Sequence, residues 1–423
     1  MQSTPLYLGL DFGTSGARAI IINDQGQVAA HAHCNYDIRD WYSWLHALRW
    51  LCASLPASLR ARIASLAIDG TSSTVLLCDA SNTPLASPVL YNDACAAEFA
   101  ARITAHAPAG HTALGATSSL AKLLYLRQRC SGTETGFFND QASWLAAMLT
   151  GRPGISDYHN ALKLGYDVET LAWPAWMKTL DVEAFLPEVL APGAILGKLA
   201  PEVAHKLDLP KTCVVRAGTT DSIAAFIASG AHTPGTAVTS LGSTLVVKLL
   251  SKQRIEDVHS GVYSHRFGNL WLAGGASNSG GAALRQYFDD ADLAALSQRI
   301  DPTQESGLDY YPLPSRGERF PINNPQMVPR TTPRPDDDVA FLHGLLEGIA
   351  HIEKRAYALL AELGATPATQ VLTAGGGAKN ATWTAIRQRL LGVPVQAANQ
   401  DAAAYGAALL AKQGPNLLCL HHA

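Results

Sequence analysis

Short apolar runs alternate with Gly-rich turns along much of this chain. Leu6 to Leu10 leads into DFGTSG, Ile63 to Ile68 into DGTSST, Cys213 to Arg216 into AGTTDS, and Val371 to Thr373 into AGGGAKN. Apolar runs of this length, closed by small flexible residues, predict strands whose carboxyl ends carry ligand-binding turns. Helical periodicity lies between them. From Phe341 the positions Leu342, Leu345, Leu346, Ile349, Ile352, Leu359, Leu360 and Leu363 predict one long helix with a buried stripe. A shorter helix is predicted after GGGAKN, with Trp383, Ile386 and Leu390 on one side. Strands alternating with helices give an α/β class.

One hairpin pattern occurs twice. LDFGTSGARAIIIN, from Leu10, and TSLGSTLVVKLLS, from Thr239, are each a strand, a tight Gly/Ser/Thr turn and a second apolar strand. Such an echo predicts a duplicated fold with two facing halves. The turn-rich SGAHTPGT (229–236) is the candidate crossing, and QMVPRTTPRPDDD (326–338) reads as an exposed loop.

Composition narrows the class. The 423 residues are 48 % apolar and 16 % charged, enough for two or three packed domains and unlike a disordered chain. The formal charge of −3 argues against a nucleic-acid partner. No apolar stretch approaches a spanning helix, so no membrane partner is expected. MQSTPLYLGLDFG has neither a basic nor an apolar leader region, so a cytoplasmic location is expected, with a plastid transit peptide already removed as the exception. Seven scattered Cys without a CxxC pair read as reduced thiols, and 14 His without HExxH suggest no zinc. His421 and His422 read as solvated.

Four segments carry candidate chemistry. In DFGTSGAR, backbone N–H groups at Thr14 and Ser15 can cradle phosphate, and Asp11 at the strand end can hold Mg²⁺ or simply cap the turn. In AGTTDS, Asp221 at a strand-to-helix junction is either a helix-terminal acid or a general base. In TSLGST, Gly242 permits close backbone approach, and Ser243 and Thr244 add hydroxyls. In AGGGAKNATW, bare backbone at Gly376 and Gly377 accommodates a flat ligand or a phosphate, or makes a tight turn above a core Trp. Two matches fail. The DFG letters have no HRD loop before them, and PGAILGKL has three residues between its glycines where a Walker loop has four.

In order, these segments resemble the FGGY carbohydrate kinases of the actin-like ATPase superfamily. TSSLAKLLYLRQ is similar to the first signature, with Lys122 in place and Tyr125 where Trp is usual. FFNDQASWLAAMLTG resembles the segment before the sugar loop, YPLPSRGERFP the GER segment, HGLLEGIAHI the second signature, and DAAAYGAALLA the closing helix. The resemblance implies two RNase-H-like α/β lobes with a nucleotide and sugar cleft between them. It places the first lobe at 1–230, joined by 402–423 folding back, and the adenosine-binding lobe at 231–401.

It further implies Asp221 as general base, and Asp11 and Asp221 as carboxylates facing Mg²⁺. Asp11, Thr14, Ser72, Asp221 and Ser222 would meet the sugar substrate, with Thr71 and Ser73 beside Ser72. Thr14, Ser15, Gly242, Ser243, Thr244, Gly376, Gly377, Asn380 and Trp383 would meet ATP, with Arg18 bracing the first hairpin. IDGTSSTVLLCD, from Ile68, and DYHNALKLGYD, from Asp157, resemble the ribulokinase branch, in particular its compact D-ribulose kinases of cyanobacteria and plants. YNDACAAE departs from that family's WxDxR segment, with Cys95 where Arg is common. The expected reaction is phosphorylation of D-ribulose at O5. D-xylulose phosphorylation and an actin-like ATPase with little sugar turnover are the alternatives, and the oligomeric state is open between monomer and homodimer.

Overall fold

A computed structural model describes residues 4–130 and 135–419; His421 and His422 lie outside them. The chain divides into two compact units, one made of 1–228 and 402–419, the other of 229–401.

The first unit is built on a six-stranded sheet. Its strands are β1 (Leu6–Gly13), β2 (Gly16–Ile22), β3 (Val28–Cys34), β4 (Ile63–Gly70), β5 (Ile195–Lys198) and β6 (Val214–Thr220), in the order β3-β2-β1-β4-β6-β5. β1, β4 and β6 run parallel, while β2, β3 and β5 are antiparallel to their neighbours. The central β1 is buried on both faces, which is why it reads as a continuous apolar run. Edge strand β3 alternates Ala with exposed His31 and His33. Helices α1 (Trp41–Ser54), α2 (Ser119–Arg129), α3 (Gln141–Thr150) and α4 (Asp221–Ala228) belong to this unit.

The second unit carries β7 (Thr236–Leu241), β8 (Leu245–Ser251), β9 (Tyr263–Phe267), β10 (Leu270–Ser277), β11 (Gln370–Ala374) and β12 (Val395–Ala397), ordered β9-β10-β8-β7-β11-β12. Around β7 the plan of β1 is repeated: antiparallel strands on one side, parallel strands on the other. The hairpin echo in the sequence therefore marks two sheets of like topology. Here α5 (Gly281–Leu284) follows β10. The long α6 (Asp338–Glu362) starts where Asp337 accepts a hydrogen bond from the Val339 amide. Its stripe packs on α7 (Ala381–Leu391) and the sheet.

Helix α8 (Ala403–Gln413) returns to the first unit. Small residues let it lie at backbone contact distance: a Cβ on Gly9 would stand 1.9 Å from the Ala404 oxygen, and one on Gly406 1.9 Å from the Ala224 oxygen. Ser65 and Arg216 donate to the carbonyl of Ala411, satisfying an oxygen in its last turn.

Beneath β7 and β11 lies a buried ion pair. Arg387 meets both oxygens of Glu353 at 2.6 and 2.7 Å and donates to Thr373 at 2.7 Å, while Thr239 also donates to Glu353. Both charged side chains are essentially inaccessible. Truncating one partner leaves the other charge buried without compensation. Glu353→Ala is expected to cost about 3–5 kcal/mol in denaturant unfolding, whereas Arg355→Ala, which breaks an exposed pair with Glu362, should cost under about 1 kcal/mol.

Candidate active site

The three parallel strands β1, β4 and β6 each carry an acid near or just beyond the carboxyl end. Asp11 and Asp69 are register partners on β1 and β4, Thr219 of β6 faces Asp69 across the next ladder, and Asp221 begins α4 directly after β6. Parallel alignment thus brings residues 11, 69 and 221 to one end of one sheet. Asp69 is fully buried, and no N–H group is donated to its oxygens. Burial first, then repulsion from Asp11 and Asp221, pushes its carboxyl well above the usual range, which favours its neutral form. Asp11 is also raised by burial, opposed by Arg18 at 3.0 Å.

Arg18 reaches further, donating to Ser15 Oγ at 3.1 Å and so tying the hairpin turn to the Asp11 carboxylate. Thr14 and Ser15 form the exposed two-residue turn between paired Gly13 and Gly16. Gly16 has φ +133°, and a Cβ there would stand 2.8 Å from the Cys34 oxygen. Its glycine thus serves backbone geometry.

The turn after β4 is held from below. Lys122, fully buried, donates to the carbonyl oxygens of Ser73 at 2.8 Å and Leu90 at 2.6 Å, and burial lowers its pKa to about 8. Ser73 takes φ +62°, and its hydroxyl accepts from Ser119 at 3.0 Å. The hydroxyls of Thr71 and Thr74 are hydrogen-bonded at 2.6 Å. Thr71 and Ser73 are buried in these internal contacts, whereas Ser72 between them is partly accessible. Ser222 is exposed beside Asp221 and donates its amide to the Asp221 carboxylate at 2.6 Å. In the loop carrying Cys95, Arg39 grips Asp93 with two bonds of 3.0 and 3.1 Å.

In the second unit, Gly242, Ser243 and Thr244 form the turn between β7 and β8. The amides of Gly281 and Ala282 donate to the carbonyls of Gly242 and Ser243 at 2.9 and 3.0 Å. With those oxygens engaged on the helix start, exposed Ser243 keeps its hydroxyl toward solvent. Buried Glu318, from the GER segment, accepts from Ser277, Asn278 and Tyr311 and fixes the strand end leading into that helix.

The GGGAKN segment corrects part of the expectation. A Cβ on Gly377 would lie 2.6 Å from Leu241 Cβ, so this glycine answers to packing on the hairpin; Gly376 alone of the predicted pair has open space. Trp383 is 4 % exposed and donates its indole N–H to the Leu346 carbonyl at 3.0 Å, which makes it a core residue with no face for adenosine. Asn380 spends its side chain capping α7 at the Trp383 amide and donating to Ser297.

Asp11 Oδ1 and Thr220 Oγ1 are buried at the strand ends without a hydrogen-bond partner. An unpaired carboxylate oxygen suits a hard cation, which takes oxygen ligands. Among the described residues no group of three or more His, Cys, Asp or Glu is spaced to hold a metal by itself. Mg²⁺ is commonly held by one or two carboxylates plus substrate phosphates.

Asp69 and Tyr36 are the residues that sequence reasoning missed. For Asp69 a signal was present: LDFGTS and IDGTSS both close an apolar run with Asp and a Gly/Thr/Ser turn. Tyr36 follows an edge strand and has no such motif, yet its hydroxyl donates to the Gly13 carbonyl at 2.9 Å, two residues beyond Asp11.

Comparison with known proteins agrees with this geometry. Residues 6–228 match the N-terminal domain of the FGGY family of carbohydrate kinases, and residues 237–412 its C-terminal domain. A xylulose kinase of Bacillus subtilis is 23 % identical over 96 % of this chain and 88 % of its own length. One from Klebsiella pneumoniae is 27 % identical over 76 % of this chain and 71 % of its own. The structure of a xyloylose kinase from Brucella ovis superposes with a TM-score of 0.86 at 24 % identity, covering 97 % of this chain and 90 % of that one.

The acids make stability pH-dependent with a definite sign. Asp69 has its folded pKa raised from an ordinary value of 3.8, so its contribution is fully present below about pH 4 and is lost as pH rises toward the folded value. Asp69→Asn removes that titration. Between pH 4.5 and pH 8, without Mg²⁺, the melting temperature of the variant relative to wild type is expected to climb; a constant difference would show that Asp69 is ionised in the fold.

Proposed function

The chain belongs to the FGGY family of carbohydrate kinases and is an ATP-dependent sugar kinase, and from that premise we propose that its acceptor is D-ribulose, phosphorylated at O5 to D-ribulose 5-phosphate. The observation that carries the transfer chemistry is the delivery of Asp11, Asp69 and Asp221 by three adjacent parallel strands to one sheet end, with Ser72 on the turn after β4 and Ser222 beside Asp221. A sugar hydroxyl is a poor nucleophile near neutral pH, and a carboxylate in hydrogen-bond reach of it removes its proton as it attacks. Asp221 has that role. Burial and the neighbouring acids favour the neutral form of Asp69, which makes the site less anionic than three ionised acids would and reduces the repulsion felt by ATP phosphates.

Ser72 and Ser222 orient the sugar by hydrogen bonds. The turn of Thr14 and Ser15 offers its amides to the transferred phosphate, with Arg18 setting the turn against Asp11. Mg²⁺, when bound with ATP, would neutralise charge that develops on the phosphates, and Asp11 has an unpartnered oxygen to face it. In the second unit, Gly242, Ser243, Thr244 and Gly376 are the residues with surface for the nucleotide; Gly377, Asn380 and Trp383 support that surface from within.

D-ribulose rests on the likeness of DGTSST and NALKLGYD to the ribulokinase branch. A second reading, D-xylulose, is favoured by the names of the relatives and has the same chemistry at O5. Coupled ADP production with Mg-ATP and D-ribulose, D-xylulose, L-ribulose, glycerol or no sugar decides between them. D-ribulose is expected to stimulate most, and Asp221→Ala to lose roughly 10²–10⁴-fold in kcat. Ser72→Ala is expected to raise KM for the sugar while leaving KM for ATP nearly unchanged. Preference for D-xylulose overturns the choice of sugar alone; ADP release equal with and without sugar points to an ATPase.

A further inference from the structure

A buried strap links the phosphate turn of the first unit to its sugar turn. Tyr36 donates its hydroxyl to the Gly13 carbonyl, the last residue before Thr14, at 2.9 Å. The same hydroxyl accepts from Gln141 Nε2 at 3.2 Å. Gln141 Oε1 in turn accepts from both the amide and the hydroxyl of Thr71, each at 3.1 Å, and the Gln141 amide donates to the Thr74 carbonyl at 3.0 Å. Gln141 is the first residue of α3 and has no exposed surface. Its side-chain amide is therefore spent on the two turns, through a bond that joins residues 105 apart, Tyr36 and Gln141. The ring of Tyr36 is held edge-on against Phe12 of β1, with centroids 5.6 Å apart.

We propose that Tyr36 and Gln141 are positioning residues that make occupancy of the sugar turn and of the phosphate turn energetically interdependent. The physical argument is one of shared ordering. Each turn is fixed by a hydrogen bond to the same rigid pair, so a ligand that fixes residues 71–74 also fixes the Gly13 carbonyl, and the second ligand meets a turn already ordered. Linkage requires that the effect be reciprocal: sugar tightens nucleotide by the factor by which nucleotide tightens sugar. In a kinase this coupling holds ATP loosely until an acceptor is present, which limits transfer to water. The inference rests on the assignment of Ser72 to sugar and Thr14 and Ser15 to phosphate.

Tyr36→Phe tests it with little disturbance, because the ring and its contact with Phe12 remain while both hydrogen bonds of the hydroxyl are lost. The measurement is the Kd of a non-hydrolysable Mg-ATP analogue, by calorimetry, with and without saturating D-ribulose or D-xylulose. The ratio of the two values is the coupling factor. Wild type is expected to show a ratio well above one, and Tyr36→Phe to bring it about fivefold or more toward unity. Gln141→Leu is expected to act in the same direction. Tyr7→Phe is the control for lost stability: it removes a hydroxyl bond of 2.6 Å to Asp24 at the far end of β1 and should keep the wild-type ratio. Hydrogen exchange supplies a second readout, since the amides of 70–74 should slow on analogue binding in wild type and not in Tyr36→Phe. A wild-type ratio retained in Tyr36→Phe overturns the strap and leaves the kinase reading intact. If neither sugar shifts analogue affinity in wild type, the assignment of the turns fails and the strap falls with it.

Discussion

Carboxylates that cannot all be ionised organise the first unit. Asp11 and Asp69 lie buried on neighbouring parallel strands with Asp221 close by, and three negative charges there would repel at low local dielectric. Burial and repulsion push the Asp69 carboxyl up, toward its neutral form, and the Arg18 guanidinium sits on Asp11. The costs are stability lost as pH rises and oxygens left without partners inside the protein. Sites that break local rules in this way are where function is expected, because nothing in folding alone requires three acids at one strand end.

Around those acids the polar groups divide into ones that act outward and ones that hold position. Lys122 is the clearest of the second kind: its ammonium is buried under the turn after β4 and keeps Ser73 in a left-handed backbone conformation that a non-glycine residue rarely takes. Glu318 does the same for the strand end that feeds the second hairpin. In each unit a Gly/Ser/Thr turn leaves backbone or hydroxyl groups toward solvent because carbonyl oxygens or side chains nearby are engaged elsewhere. The two sheets repeat one plan, yet their supports differ, an Arg–Asp pair in one and helix-start amides in the other.

Much of this was legible in residue order. β1, β4, β6 and β11 appear as apolar runs ending in Gly-rich turns, and the buried stripe of α6 appears as its leucine spacing. GGGAKNATW shows where such reading stops. Its glycines and Trp suggest a flat ligand, but Gly377 is required by Leu241, which is 136 positions earlier in the chain, and Trp383 fills the core under α6. Glycine signals only that something comes close; whether that is a ligand or the protein's own side chain depends on long-range packing.

By itself the sequence determined the class of strand and helix, the duplicated hairpin, the family and most of the acids and hydroxyls that stand at the strand ends and turns, because those follow from local periodicity and from motifs short enough to be contiguous. Tertiary structure decided which of them touch. It paired Asp11 with Asp69 through strand register, drew Tyr36 to Gln141 across 105 residues, and turned Thr71 and Ser73 inward while leaving Ser72 accessible. Register, burial and shared protons are properties of groups distant in the chain and adjacent in space, so they arise only when the sheet forms.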